Sequence, residues 1–354
     1  MFKIEELGWD AFFEVQWNRE EENEYSPARI AEEQRGFFHV WAECGEMLAE
    51  VSGKLRHEAC SREELPAAGD WVLVKARRAE GRATIHRVLR RKSKFSRKAA
   101  GATTEEQIIA ANVDALFLVM ALDRDFAPRR VERYLTLAWE SGARPVVVLS
   151  KADLAADAAA SVCEVEEVAM GAPVIAVSAV TGEGFADLQS FLVPRQTAAL
   201  VGSSGVGKST IINQWMGSEV QAVADIGAGT GRGRHTTTAR QLIRLPSGAL
   251  VLDTPGMREL QLWDGASVEN TFADIEALAG KCRFRDCRHK KEPGCAVARA
   301  ILKGELAEDR LESYRKLERE ARFLEIKQDV RARLEQKQLW KKLCGDQKRL
   351  YKKR

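Results

Sequence analysis

The longest apolar run in this 354-residue chain, Val113 to Leu122, is about ten residues long and is broken by Asp114. A spanning helix needs roughly twenty apolar residues, so none is expected. Nor is a secretory leader expected, because Met1 to Glu24 carries eight acidic residues against only Lys3 and Arg19 and shows no basic-then-apolar pattern. Cysteine is present but unpaired in pattern: there are seven, an odd number, and Cys44, Cys60, Cys163 and Cys344 are scattered. That excludes a disulfide framework and favours a reducing compartment. No internal repeat is apparent, which removes repeat architectures. The expectation is a cytoplasmic monomer with no membrane attachment.

Net charge is also small, at +3, but it is unevenly spread. Seven Lys/Arg and no acid lie between His86 and Lys98, and eight Lys/Arg face only Asp346 between Gln336 and Arg354. Each run alone reads equally well as solvated surface, but two of them behind an acidic N-terminal segment point to a polyanionic partner. A hydrophobic share of 45% and a charged share of 30% fit a globular protein of two or three domains.

Residues 29–98 show short β-rich runs separated by turns, such as Gly36–Trp41, Met47–Gly53, Gly69–Val74 and Thr84–Leu89. This predicts a small β-barrel; the OB type suits, with an SH3-like barrel as the alternative. The segment 1–28 stands apart as an acidic N-terminal extension. Over residues 99–267 the pattern changes to continuous apolar runs alternating with helical stretches such as Pro128–Glu140 and Ala155–Met170. Runs of that kind form a parallel sheet covered on both faces. Residues 268–354 lose the strand signal and read as a small helical domain ending in a basic tail.

Gly202-Ser203-Ser204-Gly205-Val206-Gly207-Lys208-Ser209 fits G-x-x-x-x-G-K-[ST] and continues into Thr210, after a predicted strand and before a predicted helix. Glycines let backbone N–H groups wrap phosphate oxygens, and the helix start adds its positive dipole end. Lys208 is expected on the β and γ phosphates and the Ser209 hydroxyl on magnesium. About 45 residues later, Asp253-Thr254-Pro255-Gly256 ends an apolar run; Asp253 would hold magnesium through water, and the Gly256 amide would sense the γ-phosphate. Between them lies Gly231-Arg232-Gly233-Arg234-His235-Thr236-Thr237-Thr238. A switch loop needs a threonine that closes on magnesium; Thr237 is the first choice and Thr236 the second.

Base recognition is read from Ser150-Lys151-Ala152-Asp153. A carboxylate at a strand end accepts from both N1–H and the exocyclic amine of guanine, which adenine does not offer, while the Lys151 stem lies along the base. Ser178-Ala179, at the next strand end, would offer backbone N–H groups to the guanine oxygen. The tetrad lacks the usual leading Asn, whose amide both touches the base and braces the phosphate loop. Ser150 has one short hydroxyl and cannot do both, so reduced guanine affinity or selectivity is expected. The order is also rotated, because the tetrad precedes the phosphate loop by about fifty residues. Met257 stands where Ras-like enzymes place a water-orienting glutamine. His235 is the nearest catalytic candidate, and an RNA contact is its alternative role.

Cys282, Cys287, His289 and Cys295 bring three thiolates and an imidazole within fourteen residues. Four protein ligands suit structural tetrahedral zinc and leave no open position for a substrate. Arg283, Arg285, Arg288, Lys290 and Lys291 ride on the same knuckle.

The rotated order, the His-Thr-Thr-Thr loop, Asp-Thr-Pro-Gly and the cysteine-histidine knuckle ending in Glu292-Pro293-Gly294-Cys295-Ala296-Val297 together resemble the ribosome small subunit-dependent GTPase A family. So do Glu106 to Asp114 and Glu132-Arg133-Tyr134-Leu135. The resemblance covers most of the chain from about Arg29. It implies an OB-fold barrel, a circularly permuted P-loop GTPase domain and a C-terminal α-helical zinc-binding domain, with Zn2+ bound once and Mg2+ arriving with GTP. It further implies GTP hydrolysis to GDP and phosphate, stimulated by the small ribosomal subunit, its rRNA partner, during late maturation. Two other readings stay open: a zinc-containing rRNA-binding protein with weak or lost GTPase activity, and a P-loop ATPase or small-molecule kinase in which Ser150 has cost guanine selection.

Overall fold

The computed structural model describes residues 2–17, 24–34, 36–98, 106–124, 126–169, 171–217, 240–254, 271–290 and 292–322. The chain divides into two compact units, residues 1–261 and 262–354. The first unit contains all thirteen strands found among the described residues.

Five of them make a barrel: β1 (Ser26–Gln34), β2 (Phe37–Ala42), β3 (Gly45–Val51), β4 (Trp71–Arg77) and β5 (Arg82–Val88). They close in the order β1-β2-β3-β5-β4-β1, with β3 and β5 parallel and the other neighbours antiparallel. That closure is the OB arrangement. Alternation along each strand turns Ala28, Ile30, Val40, Ala49, Val72, Val74 and Ile85 into a common interior, none more than 1% exposed. Fully burying a Val or Ile side chain contributes about 1.5–3 kcal/mol, so this small interior is enough to fix the register.

A hairpin of β6 (Lys94–Lys98) and β7 (Glu106–Ala111) follows. The charged composition of β6 hides it in the sequence, where only Phe95 is apolar. Part of the basic run is structural, since the Arg91 guanidinium grips the buried Asp70 carboxylate with two contacts of 2.7 Å. Lys94 pairs with Glu63 and Glu106.

The remaining strands are β8 (Ala115–Ala121), β9 (Arg144–Ser150), β10 (Val174–Ala176), β11 (Thr197–Val201), β12 (Gln241–Arg244) and β13 (Leu250–Asp253). They lie in the order β10-β9-β8-β11-β13-β12, parallel except for β12. β11, the latest of the first four in sequence, sits between β8 and β13. The middle of the sheet is therefore built from a late strand flanked by an early and a later one, which is what a rotated gene order produces. Every residue of β8, β11 and β13 is buried, as expected for strands covered on both faces.

The acidic N-terminal segment is folded onto this unit. Leu7, Trp9 and Phe13 are buried, and Trp9 meets Trp71 edge-on at 4.9 Å. Arg29 of β1 is fully buried and donates to Leu7 O, Gly69 O, Asn112 O and Thr197 Oγ1. Burial pulls its pKa down to about 10, against the opposing pull of Asp114 and Asp70. Five donors on a rigid fork let one side chain satisfy carbonyls from the N-terminal segment, the barrel and the sheet.

In the second unit, helices span Ala273–Ala279 and Ala296–Leu302, and residues 308–322 are helical. Phe272, Ile275, Val297 and Leu317 are among its buried apolar residues, and Arg310 holds Asp274 at 2.7 and 2.9 Å.

Candidate functional site

The carboxyl ends of β8, β9, β11 and β13 point the same way, and at such ends open α/β sheets form their binding crevices. The loop 202–207 leaves β11 there and opens the helix Lys208–Met216. Gly202 lies so close to Val119 O that a Cβ would stand 2.2 Å from it, so any side chain would push the loop off the sheet. Gly205 and Gly207 both have positive φ, 80° and 92°, a conformation that costs glycine nothing. Ser203 and Ser204 are half-buried on the loop, and Ser209 and Thr210 occupy the first turn of the helix.

The Lys208 ammonium folds back onto its own loop, donating to Gly202 O at 2.9 Å and Ser203 O at 2.8 Å. Burial lowers its pKa to about 8, with Asp253 pulling the other way. Asp253, at the end of β13, is 2% exposed; burial raises its pKa to about 6, and Lys208 opposes the rise. Burial thus works against the charged form of each group, and the opposite charge of the other works for it. Beside them the Thr254 hydroxyl donates to Leu200 O at 2.5 Å, tying the turn after β13 to β11.

The tetrad reaches the same place from β9. Ser150 is 3% exposed, and its hydroxyl lies 2.6 Å from Val206 O and 3.3 Å from Met120 O. Having one proton, it donates to the nearer carbonyl, which belongs to the phosphate loop. Of the two tasks weighed for the missing Asn, Ser150 therefore performs the bracing one. Lys151 takes a left-handed backbone, φ 59°, and its ammonium pairs with Asp123 Oδ2 at 3.0 Å. Ala152 donates its N–H to Val177 O. The Ser178 hydroxyl donates to Asp153 Oδ1 at 2.6 Å and accepts from the N–H groups of Val180 and Thr181, both at 3.2 Å. Ala179 is half-buried beside it. The tetrad Ser150–Asp153 and the loop 202–207, about fifty residues apart in the chain, thus adjoin. His235, Thr236, Thr237, Gly256 and Met257 lie outside the described residues.

Asp123 carried no signal in the sequence, being a single acid after an apolar strand. Asn112 lay within the Glu106–Asp114 resemblance but with no role attached; its φ is 55°, and its buried amide joins Lys92 N to Gly69 O.

In the second unit, one donor atom from each of Cys282, Cys287, His289 and Cys295 lies within 4.8 Å of the others. His289 Nδ1 is 3.6 Å from both Cys282 Sγ and Cys295 Sγ, and those sulfurs are 3.9 Å apart. A tetrahedral zinc with bonds of about 2.3 Å to sulfur and about 2.0–2.1 Å to nitrogen needs edges of about 3.6 and about 3.8 Å. Cys282, His289 and Cys295 match those edges, and with the Cys287 sulfur within 4.8 Å the donor chemistry suits that ion. Ala296 N–H and Ala298 N–H donate to the sulfurs of Cys282 and Cys295, each at 3.3 Å, and Arg315 fixes the backbone of His289 by donating to its carbonyl at 2.5 Å. Such outer contacts orient metal ligands.

Strand order, phosphate loop and base-reading tetrad define a circularly permuted P-loop GTPase. The family model for RsgA GTPase matches residues 88–263. The chain is 46% identical to the small ribosomal subunit biogenesis GTPase RsgA of Opitutus terrae, over 98% of this chain and 97% of that one. The crystal structure of YjeQ from Thermotoga maritima superposes with a TM-score of 0.61 at 28% identity, covering 84% of this chain and 98% of that one. That of YloQ, a circularly permuted GTPase, shares the fold at a TM-score of 0.58 and 23% identity, covering 86% and 98%. The chain belongs to the RsgA GTPase family, and it is a GTP-hydrolysing enzyme. No helix among the described residues is long and apolar enough to cross a membrane.

Proposed function

We propose that this protein binds the small ribosomal subunit through its rRNA, hydrolyses GTP to GDP and phosphate when docked there, and thereby assists late maturation of the subunit. The observation that carries the nucleotide half is the Ser150 hydroxyl at 2.6 Å from Val206 O, which supports one pocket spanning base to terminal phosphate. In that pocket Asp153, oriented by Ser178, accepts from guanine, while Lys151 and Ala152 line the base and Ala179 N–H meets its oxygen. The amides of residues 202–207 and the start of the helix at Lys208 hold the phosphates. Lys208 leaves the carbonyls of Gly202 and Ser203 for the β and γ oxygens, exchanging two neutral acceptors for anionic ones. Ser209 and Thr237 hold magnesium directly and Asp253 through water, Gly256 senses the γ-phosphate, and His235 orients the attacking water.

Cys282, Cys287, His289 and Cys295 hold one structural zinc, which supplies folding energy and no chemistry. The relatives' names, which specify the small ribosomal subunit, and the basic residues of the knuckle support the rRNA partner. A cytoplasmic monomer is the natural form for this role.

The test is phosphate release from GTP with and without purified small subunits. The proposal requires strong stimulation by subunits and no competition from excess ATP. No release even with subunits would leave a zinc-containing rRNA-binding protein, and equal competition by ATP would leave an ATPase or kinase.

A further inference from the structure

A cavity of about 350 Å³ opens on the barrel flank between β1, β2, the segment 56–67 and β7, and shares no lining residue with the phosphate loop or the tetrad. Its charged lining consists of Arg56, Arg62 and Arg240 against the single carboxylate of Glu33. Glu33 cannot satisfy all three: its oxygens lie 3.2 Å from Arg240 and 3.9 Å from Arg62, and Arg56 is exposed. Arg240 is mostly buried and donates also to Ile108 O. Burial pulls its pKa down; Glu33 opposes this, and the like charges of Arg97 and Arg62 add to the fall. The floor is apolar, with Phe38 and Pro66 buried. An excess of guanidinium groups over an aromatic and proline floor is the chemistry that receives a phosphate and the base beside it.

We propose that this cavity takes one nucleotide of single-stranded RNA, its phosphate on Arg62 and Arg240 and its base against Phe38 and Pro66. The volume suits one mononucleotide unit. The identity of the polyanion rests on the ribosomal reading above, whereas the pocket itself rests on the lining. Its position gives occupancy a consequence. Arg240 immediately precedes Gln241, which is cross-strand partner to Glu32 of β1 on one side and to Asp253 on the other. Two strand spacings, about 10 Å, separate the barrel from the acid expected to hold magnesium. A phosphate that draws Arg240 from Glu33 shifts the strand facing Asp253.

The test uses the full chain and a fluorescent oligouridylate, with Arg56→Gln/Arg62→Gln as the pocket variant. Lys54→Gln/Arg78→Gln removes the same charge from exposed positions outside the cavity. GTP affinity in each preparation reports folding. The pocket variant should bind the oligonucleotide about tenfold more weakly, and its salt slope should fall by about 0.7, the one phosphate contact that Arg62 makes. The control should bind like wild type. Glu33→Gln, which removes the competing carboxylate, should bind more tightly, where a merely structural Glu33 would give weaker binding. Equal losses in both double variants, or weaker binding by Glu33→Gln, would overturn the proposal. So would binding of free uridine monophosphate as tight as that of the oligonucleotide, since the source would then be a free nucleotide. In parallel, subunit-stimulated phosphate release should drop in the pocket variant. A wild-type protein that is itself unstimulated would refute the ribosomal reading instead, so the two failures are distinguishable.

Discussion

The nucleotide pocket and the metal knuckle both bring distant residues to one point, and they do it by opposite means. In the pocket, Ser150, Asp253 and Lys208 are placed by β9, β13 and β11, strands buried on both faces whose ends arrive together whatever the side chains at their tips. In the knuckle, Cys282 to Cys295 lie in turns with little apolar content, and on the proposed reading it is a metal held by the four donor atoms that would give the segment its shape. A site borne on a sheet should survive loss of its functional groups, whereas a site made by its ligands should not.

The largest effect expected from this contrast is chemical. Lys208→Met should cut GTP turnover by about a thousandfold, measured as phosphate release, because an electrostatic contact to the transferring phosphate is lost. The fold should remain. Lys208 has its pKa lowered by burial from 10.5 to about 8, so below pH 8 the folded protein carries a buried charge that the unfolded chain solvates freely. That cost is full below pH 8 and disappears as pH rises through 10.5. The unliganded variant should therefore melt no lower than wild type at pH 7, with any advantage shrinking between pH 8 and 10.5. A large fall in melting temperature at pH 7 would mean that the pocket is not independent of its lysine.

The knuckle should behave in reverse. Cys295→Ser, or chelation, should abolish stoichiometric zinc and expose the amides of 282–302 to hydrogen exchange, at a cost of several kcal/mol to that segment. GTP affinity should change by less than about twofold, since Cys282, Cys287, His289 and Cys295 all lie in the second unit. Zinc content and exchange rates check the first part, and nucleotide titration checks the second.

These opposite constructions explain what could be read from the chain beforehand. The phosphate loop, Asp253, the tetrad and the knuckle were legible because each obliges particular residue types at fixed spacing. The parallel strands were legible because burial on both faces leaves continuous apolar runs. What escaped was held by singular contacts. β6 is charged, β12 spans only Gln241–Arg244, and the acidic opening segment folds because Trp9 and Phe13 find Trp71 and because Arg29 reaches Leu7 O. None of these leaves a period, since one arginine hydrogen-bonded to four partners has no repeat to detect. Ser150 was legible as a departure but not as a solution. Its missing amide was plain, while its 2.6 Å bond to Val206 O depends on how near β9 brings the loop.

That bond gives a smaller and sharper test of the comparison. Ser150→Ala removes one buried hydroxyl and leaves the Val206 carbonyl without its donor, a loss of about 1 kcal/mol. Because the loop is braced before nucleotide arrives, the loss should appear as GTP affinity about fivefold weaker, with turnover at saturating GTP nearly unchanged. Ser150→Thr, which keeps the hydroxyl, should restore affinity if its extra methyl is accepted at this buried position. A fall in saturated turnover with affinity intact would place Ser150 in the chemistry rather than in the brace.

The smallest expected effect lies farthest from both sites. Arg244 pairs with Glu6 at 2.6 Å, but the two side chains are 42% and 34% exposed. Solvent screens such a pair, and exposed pairs contribute about 0.2–1 kcal/mol. Glu6→Gln should therefore shift the melting temperature by no more than a few degrees, whereas Arg29→Met should destabilise the same junction severely by removing the guanidinium donors to the buried carbonyls of Leu7 and Asn112 and to the Thr197 hydroxyl. Equal effects from the two substitutions would mean that the N-terminal segment is held by its surface charge. The Arg29 contacts require instead that the buried Leu7 carbonyl, not exposed pairs such as Glu6 with Arg244, bind the segment to the sheet.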